Sequence, residues 1–330
     1  MPRPSSSRNR YDPVLLTPLD GAAPDDDDER EYLRVRRIFQ RDMRRANQSM
    51  SAHKARYLVQ LYYDVQRQRI RAGNRVASIA RLEFGDEAAT MSTAEVLARV
   101  RAETPSDALL YLLDMFGSVE KDVAGVLGEW TLEDPSGMGA WTRQIVGLGP
   151  VITAGLLAHI DITKAPTVGH IWRFGGLDPT VQWLPHQLRP WNARLKVVLW
   201  KLGVSFQKTC NNPRDIYGHV YAQRRAYEAR KNLDGDYAEQ AARQLASKAY
   251  GTETEAYAAL SQGRLPAAQI VLRAQRYAVK AFLSDWHAEY YRRVFKTEPP
   301  KPYPIAHLGH AHHMEGRGWV RSAERADRSE

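Results

Sequence analysis

Two glycines flank a single leucine in the most informative stretch of the chain, which reads Gly147-Leu148-Gly149-Pro150. Both glycines can adopt a positive φ, and Pro150 suits the first turn of a following helix because its missing N–H is not needed there. Backbone N–H groups at a helix start, together with the positive end of the helix dipole, form a site for a phosphate group. The stretch is therefore a candidate contact for one phosphate of a nucleic acid backbone.

Apolar residues on both sides of these glycines predict the two helices that would position them, and we expect a helix-hairpin-helix element over residues 141–160. Leu148 would fill the core between the two helices, and further packing would come from Ala154, Leu156, Leu157 and Ile160. Such a hairpin contacts the DNA backbone and does not read the bases. The alternative interpretation is an ordinary turn between two helices.

A second candidate surface lies near the N-terminus, where residues 34–81 hold 13 Lys and Arg against two Asp. Ser51 can cap a helix in this stretch, and one stripe of that helix, Tyr57, Leu58, Leu61, Tyr62 and Val65, would face a core. Arg67, Arg69 and Arg71 are then left for solvent or phosphate. The stretch is either a DNA-binding helix or a solvated helix face.

Composition bounds the class of protein. The chain has 330 residues, 43% of them hydrophobic, and a formal net charge of +9, which favours nucleic acid as a partner. No apolar run long enough to span a membrane and no signal peptide are found, so we expect a cytoplasmic protein without a membrane partner. Its one cysteine, Cys210, excludes an internal disulfide framework and a multi-cysteine zinc site.

Helical periodicity dominates, and few segments alternate like strands, so the predicted fold is mainly α with flexible termini. Residues 1–33 form an acidic tail that we expect to be disordered, and residues 34–105 form a basic helical region. Residues 106–295 form the helical domain that contains the hairpin, and residues 296–330 form a tail rich in Pro and His. Within the large domain we predict helices over 214–231, 236–250 and 267–295.

The hairpin is followed by Leu156-Leu157-Ala158-His159-Ile160, by a stretch from Trp172 to Pro179, and by Asn192-Ala193-Arg194-Leu195-Lys196. This succession resembles the C-terminal domain of the DEDD transposase and invertase family of bacterial insertion sequences. The second stretch contains the Gly-Leu-x-Pro turn of that family, and the third matches its Asn-x-x-Leu-[Arg/Lys] segment. The resemblance spans roughly residues 141–295 and is strongest before about residue 205.

The resemblance implies DNA cutting and joining by an N-terminal RuvC-like domain with four metal-binding carboxylates, aided by a serine in the C-terminal domain. Residues 1–140 show no hydrophobic strand ending in an Asp, as such a carboxylate-bearing sheet would require. Thr180 is the hydroxyl between the Gly-Leu-x-Pro turn and the Asn-x-x-Leu segment, and it does not precede a glycine. Ser205, on the following apolar helix, is interpreted as structural. The catalytic residues therefore stay unknown.

What the resemblance leaves is a surface that could hold DNA. Cationic side chains would neutralise phosphates and an exposed tryptophan could stack on an unpaired base, although burial is the favoured interpretation for Trp172, Trp183, Trp191 and Trp200. The predicted contacts comprise the hairpin residues Gly147, Leu148, Gly149 and Pro150, the following residues Arg173, Arg189, Asn192, Arg194, Lys196 and Lys201, and Arg67 and Arg71 of the basic helix.

Four of the ten histidines, His307, His310, His312 and His313, lie close together near the C-terminus. Imidazoles bind zinc or nickel, but these residues have no predicted helix to fix their spacing and no clear further ligand. They are weak metal candidates, and the alternative is a surface tail that packs on the domain or contacts DNA. We expect no cofactor, unless the protein is a metal-dependent enzyme.

The sequence thus predicts a DNA-binding protein related to insertion-sequence transposases, without a complete catalytic centre, that serves a mobile element or phage as an accessory or repurposed factor. One alternative is an active metal-dependent nuclease or recombinase that uses the histidines with Asp161 and Asp178. Another is a structural protein that binds an acidic partner or structured RNA. A homo-oligomer or a separate nuclease subunit could complete the system.

Overall fold

The computed structural model describes residues 50–104 and 108–300, together with Arg30 and Arg34. All regular secondary structure in these ranges is helical and no strand occurs there, which confirms the mainly α fold. The predictions for the acidic tail and for the four C-terminal histidines concern segments outside the described residues. None of the helices in the described ranges combines the length and apolarity that a membrane crossing requires.

The chain divides into two compact units, Met1–Glu133 and Asp134–Glu330. The sequence prediction placed a boundary at residues 105 and 106, before the helix Ala108–Leu132, whereas the contacts group this helix with the first unit. The described helices of the first unit are α1 (Ala52–Phe84), α2 (Asp86–Ala89), α3 (Thr93–Glu103) and α4 (Ala108–Leu132).

In the first unit, α1 begins where the sequence predicts. The hydroxyl of Ser51 accepts a hydrogen bond from the backbone N–H of Lys54, so one amide of the first turn is satisfied. The predicted core stripe is wrong at Tyr57, which is 64% exposed, because the buried positions nearby are Ala55 and Val59. Small residues at these positions suit a close approach of α4 along α1.

The basic face of α1 is narrower than predicted. Arg69 donates through Nε to the carboxylate of Glu120 on α4 at 2.5 Å, and Glu120 is buried. Arg67 pairs with Asp64 one turn earlier on the same helix, and Arg71 remains exposed without an ion pair among the described residues. Arg69 therefore stabilises the α1 and α4 pair, and only part of the predicted basic face is left for a ligand.

The second unit contains eight α-helices within residues 134–300, and a 3-10 turn at Ile162–Lys164. Its α-helices are α5 (Met138–Arg143), α6 (Pro150–His159), α7 (Val168–Phe174), α8 (Ala193–Thr209), α9 (Ile216–Leu233), α10 (Ala238–Ser247), α11 (Glu255–Ser261) and α12 (Ala267–Phe295). The last of these has the bounds that the sequence predicts, and α9 and α10 agree with their predicted ranges to within three residues.

The long helix α12 organises the second unit by packing against α8 and α9. Its Phe282 is fully buried, and its ring lies 5.8 Å from that of Phe206 on α8 and 5.3 Å from that of Tyr217 on α9. One helical stripe further, the indole N–H of Trp286 donates to the hydroxyl of Thr142 on α5 at 3.0 Å. Aromatic packing and this buried hydrogen bond thus join four helices of the unit.

A buried carboxylate holds α9, α10 and α12 together at the other end of the unit. Glu228 on α9 is 1% exposed and accepts hydrogen bonds from Arg224, from Arg273 on α12 at 2.7 Å, and from the hydroxyl of Tyr237 beside α10. Burial raises the pKa of Glu228, but the bonds from Tyr237, Arg273 and Arg224 outweigh it and hold that pKa below its usual value. The ionised form of Glu228 is therefore the one that holds these helices together.

Candidate functional site

The range 141–160, for which a helix-hairpin-helix element is predicted, comprises the end of α5, a turn over residues 144–149, and α6 from Pro150 onwards. Helix α5 ends at Arg143, so Ile145 and Val146 belong to the turn and not to a helix end as expected. The backbone N–H of Leu148 donates to the carbonyl of Ile145 at 3.1 Å, which tightens the turn. Leu148 is buried, as the sequence predicts for the residue between the two glycines.

The two glycines of the hairpin have different roles. Gly147 has φ +85°, and a Cβ there would lie 2.9 Å from the hydroxyl of Ser205, so both backbone conformation and packing require glycine. Gly149 has φ −84°, which any residue can adopt, and a Cβ there would meet nothing within 4 Å. The expectation of a positive φ at Gly149 is therefore wrong, and the fold itself does not require glycine at this exposed position.

Two hydroxyl groups of α8 lie against the turn over residues 144–149. Ser205 donates to the carbonyl oxygen of Gly147, which confirms a structural role for this serine. One turn later the hydroxyl of Thr209 lies within hydrogen-bond distance of Asp215, a fully buried residue. Asp215 also accepts from the N–H of Gly218 at 2.9 Å and so caps α9. The turn is thereby tied to α8 and, through Thr209, to the start of α9.

A cluster of four cationic side chains, Arg189, Lys196, Arg276 and Lys280, lies elsewhere on the same unit and is called the cation cluster below. Burial, Arg189 and Arg276 together lower the pKa of Lys196. Burial and Arg276 likewise lower the pKa of Lys280, against the opposite effect of Asp178. None of the four forms an ion pair in the described ranges. The cluster is therefore a concentration of positive charge without ion pairs among the described residues, which Asp178 offsets only in part.

Indole rings alternate with these cations. Lys196 Nζ lies 4.1 Å from the ring centroid of Trp191, and Arg189 Cζ lies 4.6 Å from that of Trp183. Lys280 Nζ lies 4.9 Å from the ring of Trp172. Such contacts orient a cation and compensate part of its lost hydration, but they leave its charge unneutralised. The arrangement can therefore present fixed positive charges to an anion.

Local structure holds the loop that carries two of these rings. Gly176 has φ +68°, and a Cβ there would lie 2.8 Å from Cγ of Trp191, so this glycine lets the indole pack on the backbone. Asn192 accepts from the N–H groups of Arg194 and Leu195 at 3.0 and 2.9 Å, and its own N–H donates to the carbonyl of Phe174. Asn192 thus caps α8 and anchors the loop at its end.

The remaining predicted contacts are distributed around these features. Arg173 and Arg194 are exposed and form no ion pair among the described residues. Lys201 lies on α8, with Nζ 5.6 Å from the ring of Trp200. Arg67 and Arg71 lie on α1 of the first unit. The structure therefore brings Arg189 and Lys196 together, and it adds Arg276 and Lys280, which the sequence analysis missed.

One sequence signal could have revealed these two residues. Helix α12 carries Arg273, Arg276 and Lys280 and contains no Asp or Glu before Asp285. Positions 276 and 280 are one helical turn apart, so they lie on the same side of the helix. A basic helical face without acids indicates an anionic partner more strongly than the same number of scattered cations.

The hairpin and the cation cluster lie towards opposite ends of α8. Gly147 contacts Ser205 and Thr209, and a Cβ on Gly155 of α6 would meet Val198, so α6 and α8 run antiparallel. Lys196 precedes Ser205 by nine residues, or about 13 Å along the helix axis. The predicted surface is therefore two separate candidate contacts on one unit, at a spacing of about four base pairs along a duplex axis.

The hydroxyl and carboxyl groups considered for catalysis have local partners. Thr180 donates to Asp178 Oδ1 at 2.7 Å, and this bond, with the backbone N–H of Thr180, lowers the pKa of Asp178. Thr163 binds Asp161 in the same way at 2.6 Å. In the part of the chain that the structure describes, no three His, Cys, Asp or Glu side chains come together to hold a metal ion. Asp161 and Asp178 thus act as turn caps.

Comparisons with known protein families, curated proteins and solved structures find no match to this chain. The resemblance to the DEDD transposase family therefore stays a prediction from the motifs alone.

Proposed function

We propose that this protein binds DNA through its second unit, as a transposase-related accessory or repurposed factor of a mobile element or phage. The observation that carries the proposal is the cation cluster, Arg189, Lys196, Arg276 and Lys280, which has no ion pair within the described residues. Burial and the neighbouring cations lower the pKa of Lys196 and of Lys280, so their charged forms are costly to hold there, and an anion that binds them removes part of this cost. A polymer of phosphates is the anion that four such charges fit best.

The contrast with cations of the unit that do form ion pairs supports this choice. Arg224 and Arg273 bind Glu228, and Arg293 binds Glu289 at 2.9 Å, so these side chains are used within the fold. Three of the four cluster residues, Arg189, Lys196 and Lys280, instead contact indole rings, which position them without neutralising them. Indoles interleaved with cations favour a nucleic acid over an acidic protein surface, because a base can stack where a carboxylate cannot.

The start of α6 supplies a second contact in this proposal. Helix α6 has ten residues, no acidic residue in its first turn and Pro150 at its beginning, so its positive dipole end faces the turn. Gly149 leaves open space there although its backbone does not require glycine. We interpret this space as room for a phosphate oxygen to approach the backbone, as in other phosphate sites at helix starts.

Replacing Gly149 by Val tests this second contact. Since the added side chain meets nothing in the fold, we expect the free energy of unfolding to change by less than about 1 kcal/mol. Affinity for a duplex should fall about fivefold to tenfold, because one phosphate contact is blocked. The matched control is Gly251→Val, on another exposed loop of this unit, where an added Cβ makes only an ordinary contact with Thr254 at 3.5 Å, and it should leave affinity intact. Equal affinities for all three proteins would contradict a contact at Gly149.

The accessory role is tested separately from binding. A gel-shift titration of the full chain with linear and branched duplexes should give a retarded complex, and the same DNA incubated with Mg²⁺ or Mn²⁺ should stay uncut. Cleavage that needs the metal would instead favour the nuclease alternative. In that case a carboxylate centre outside the described residues, or from a second subunit, would have to supply the metal ligands.

A further inference from the structure

The loop between α7 and α8 exposes apolar side chains beside two residues of the cation cluster. Trp183 is 49% exposed and Leu188 is 96% exposed, and Arg189 follows directly. The sequence analysis favoured burial for Trp183, and that expectation is wrong because about half of the side chain is exposed. Leu184 of the same loop is also half exposed, and several exposed apolar side chains close together favour an interaction surface.

The indole of Trp183 is held in one orientation. Its Nε1 donates to the carbonyl oxygen of Gln187 at 2.8 Å, which closes the segment into a compact turn. His186 inside this turn has φ +62°, a left-handed conformation that is strained for a residue other than glycine. Trp191 meets the indole edge to face at 6.4 Å, and Arg189 lies over the ring. The ring is therefore fixed before any ligand arrives.

We propose that Trp183 is a stacking platform for one unpaired base of single-stranded DNA, with the adjoining phosphates bound by Arg189 and Lys196. The inference rests on the proposed function and names the form of DNA that this end of the unit accepts. Arg189 covers one face of the indole and the indole N–H is already bonded to Gln187, so the base would stack on the opposite face of the ring. A contact of this kind tolerates any base, because every base has a π face.

An unpaired base fits this geometry better than the bases of an intact duplex. Paired bases are stacked on each other and present only their edges in the grooves, so an indole cannot reach their faces. Arg189 lies 4.6 Å from the ring centroid of Trp183, and Lys196 lies 4.1 Å from that of the neighbouring Trp191. Both cations are thus placed to bind a backbone that passes beside a stacked base. The anionic surface of a membrane offers the same charges to the cations but no flat partner for a fixed ring.

The test compares two fluorescein-labelled single strands of about 16 nucleotides, one of thymidines and one with abasic sites at every position. Both carry the same phosphates, so the ratio of their affinities measures contacts to bases alone. We expect the full-length wild type to bind the thymidine strand at least about fivefold more tightly than the abasic strand. Trp183→Ala should bring this ratio close to one, and Trp183→Tyr should retain most of it.

Tyr227→Ala is the matched control, because Tyr227 is also half exposed and also carries cations over its ring, Arg224 at 4.7 Å and Lys231 at 5.7 Å. It should keep the wild-type ratio. A ratio that Trp183→Ala leaves unchanged, while the wild type still binds both strands, overturns the stacking role and leaves the proposed function standing. Failure of the wild type to bind either strand or a duplex overturns both proposals.

A sedimentation assay with vesicles of phosphatidylglycerol and phosphatidylcholine tests the alternative that this loop binds a lipid surface. Under the base-stacking proposal, wild type and Trp183→Ala should sediment with these vesicles to the same extent. Vesicle binding that requires Trp183, together with an affinity ratio near one, would overturn the proposal in favour of a lipid surface.

Discussion

Replacing Arg189, Lys196, Arg276 and Lys280 together by Gln is expected to weaken duplex binding about a hundredfold at roughly 0.1 M salt. Each lost phosphate contact removes a released counterion, so the slope of log affinity against log salt should become less steep by about 3 to 4. Fluorescence polarisation with a labelled duplex measures both quantities. The side chains have no ion pair in the described ranges, so their removal should not break the fold.

A second quadruple variant controls for the total charge. Arg225, Arg230, Lys248 and Arg264 lie on the same unit, are exposed and have no carboxylate partner among the described residues, so their replacement by Gln removes the same four charges. This control should lose much less affinity, with a slope closer to the wild type. Similar losses in the two variants would mean that net charge, and not the cation cluster, determines binding.

Glu228→Gln is expected to lower the free energy of unfolding by about 3 kcal/mol, because it removes the buried charge that Arg224 and Arg273 need. The amide keeps the shape of the side chain but cannot accept both guanidinium groups as strongly. Chemical denaturation followed by circular dichroism measures the change. Asp236→Asn is the control, since its ion pair with Lys231 lies at the surface and should contribute less than about 1 kcal/mol.

The same carboxylate makes stability depend on pH. Because the folded-state pKa of Glu228 lies below its ordinary value, its contribution is present above the unfolded pKa of about 4.3 and is lost as pH falls through the folded value. The stability difference between wild type and Glu228→Gln should therefore shrink below about pH 4. A difference that stays constant on acidification would contradict the charged network.

Much of the fold could be predicted because local signals and tertiary packing agree. Ser51 caps α1 as expected, and the range Ala267–Phe295 is one uninterrupted helix because its apolar residues recur with helical spacing and no Pro or Gly interrupts them. Leu148 is buried where the hairpin pattern places it. These features depend on residues close together in the sequence, which is why the sequence alone could indicate them.

The cation cluster could be predicted only in part, because its members come from distant segments. Arg189 and Lys196 belong to the loop and α8, but Arg276 and Lys280 follow some eighty residues later and reach the same surface only when α12 packs on α8. The sequence also left Arg69 available for solvent or phosphate, because its partner, Glu120, lies on another helix far along the chain. Long-range pairing of charges leaves no periodic signal in a sequence.

The most direct test of the central claim is the salt dependence of duplex binding by the full-length wild-type chain, measured by fluorescence polarisation from low to physiological salt. We expect affinity to fall linearly on logarithmic axes with a slope of about −4 or steeper, as at least four neutralised phosphates require. An affinity that does not change with salt, or no detectable binding at low salt, would contradict the account.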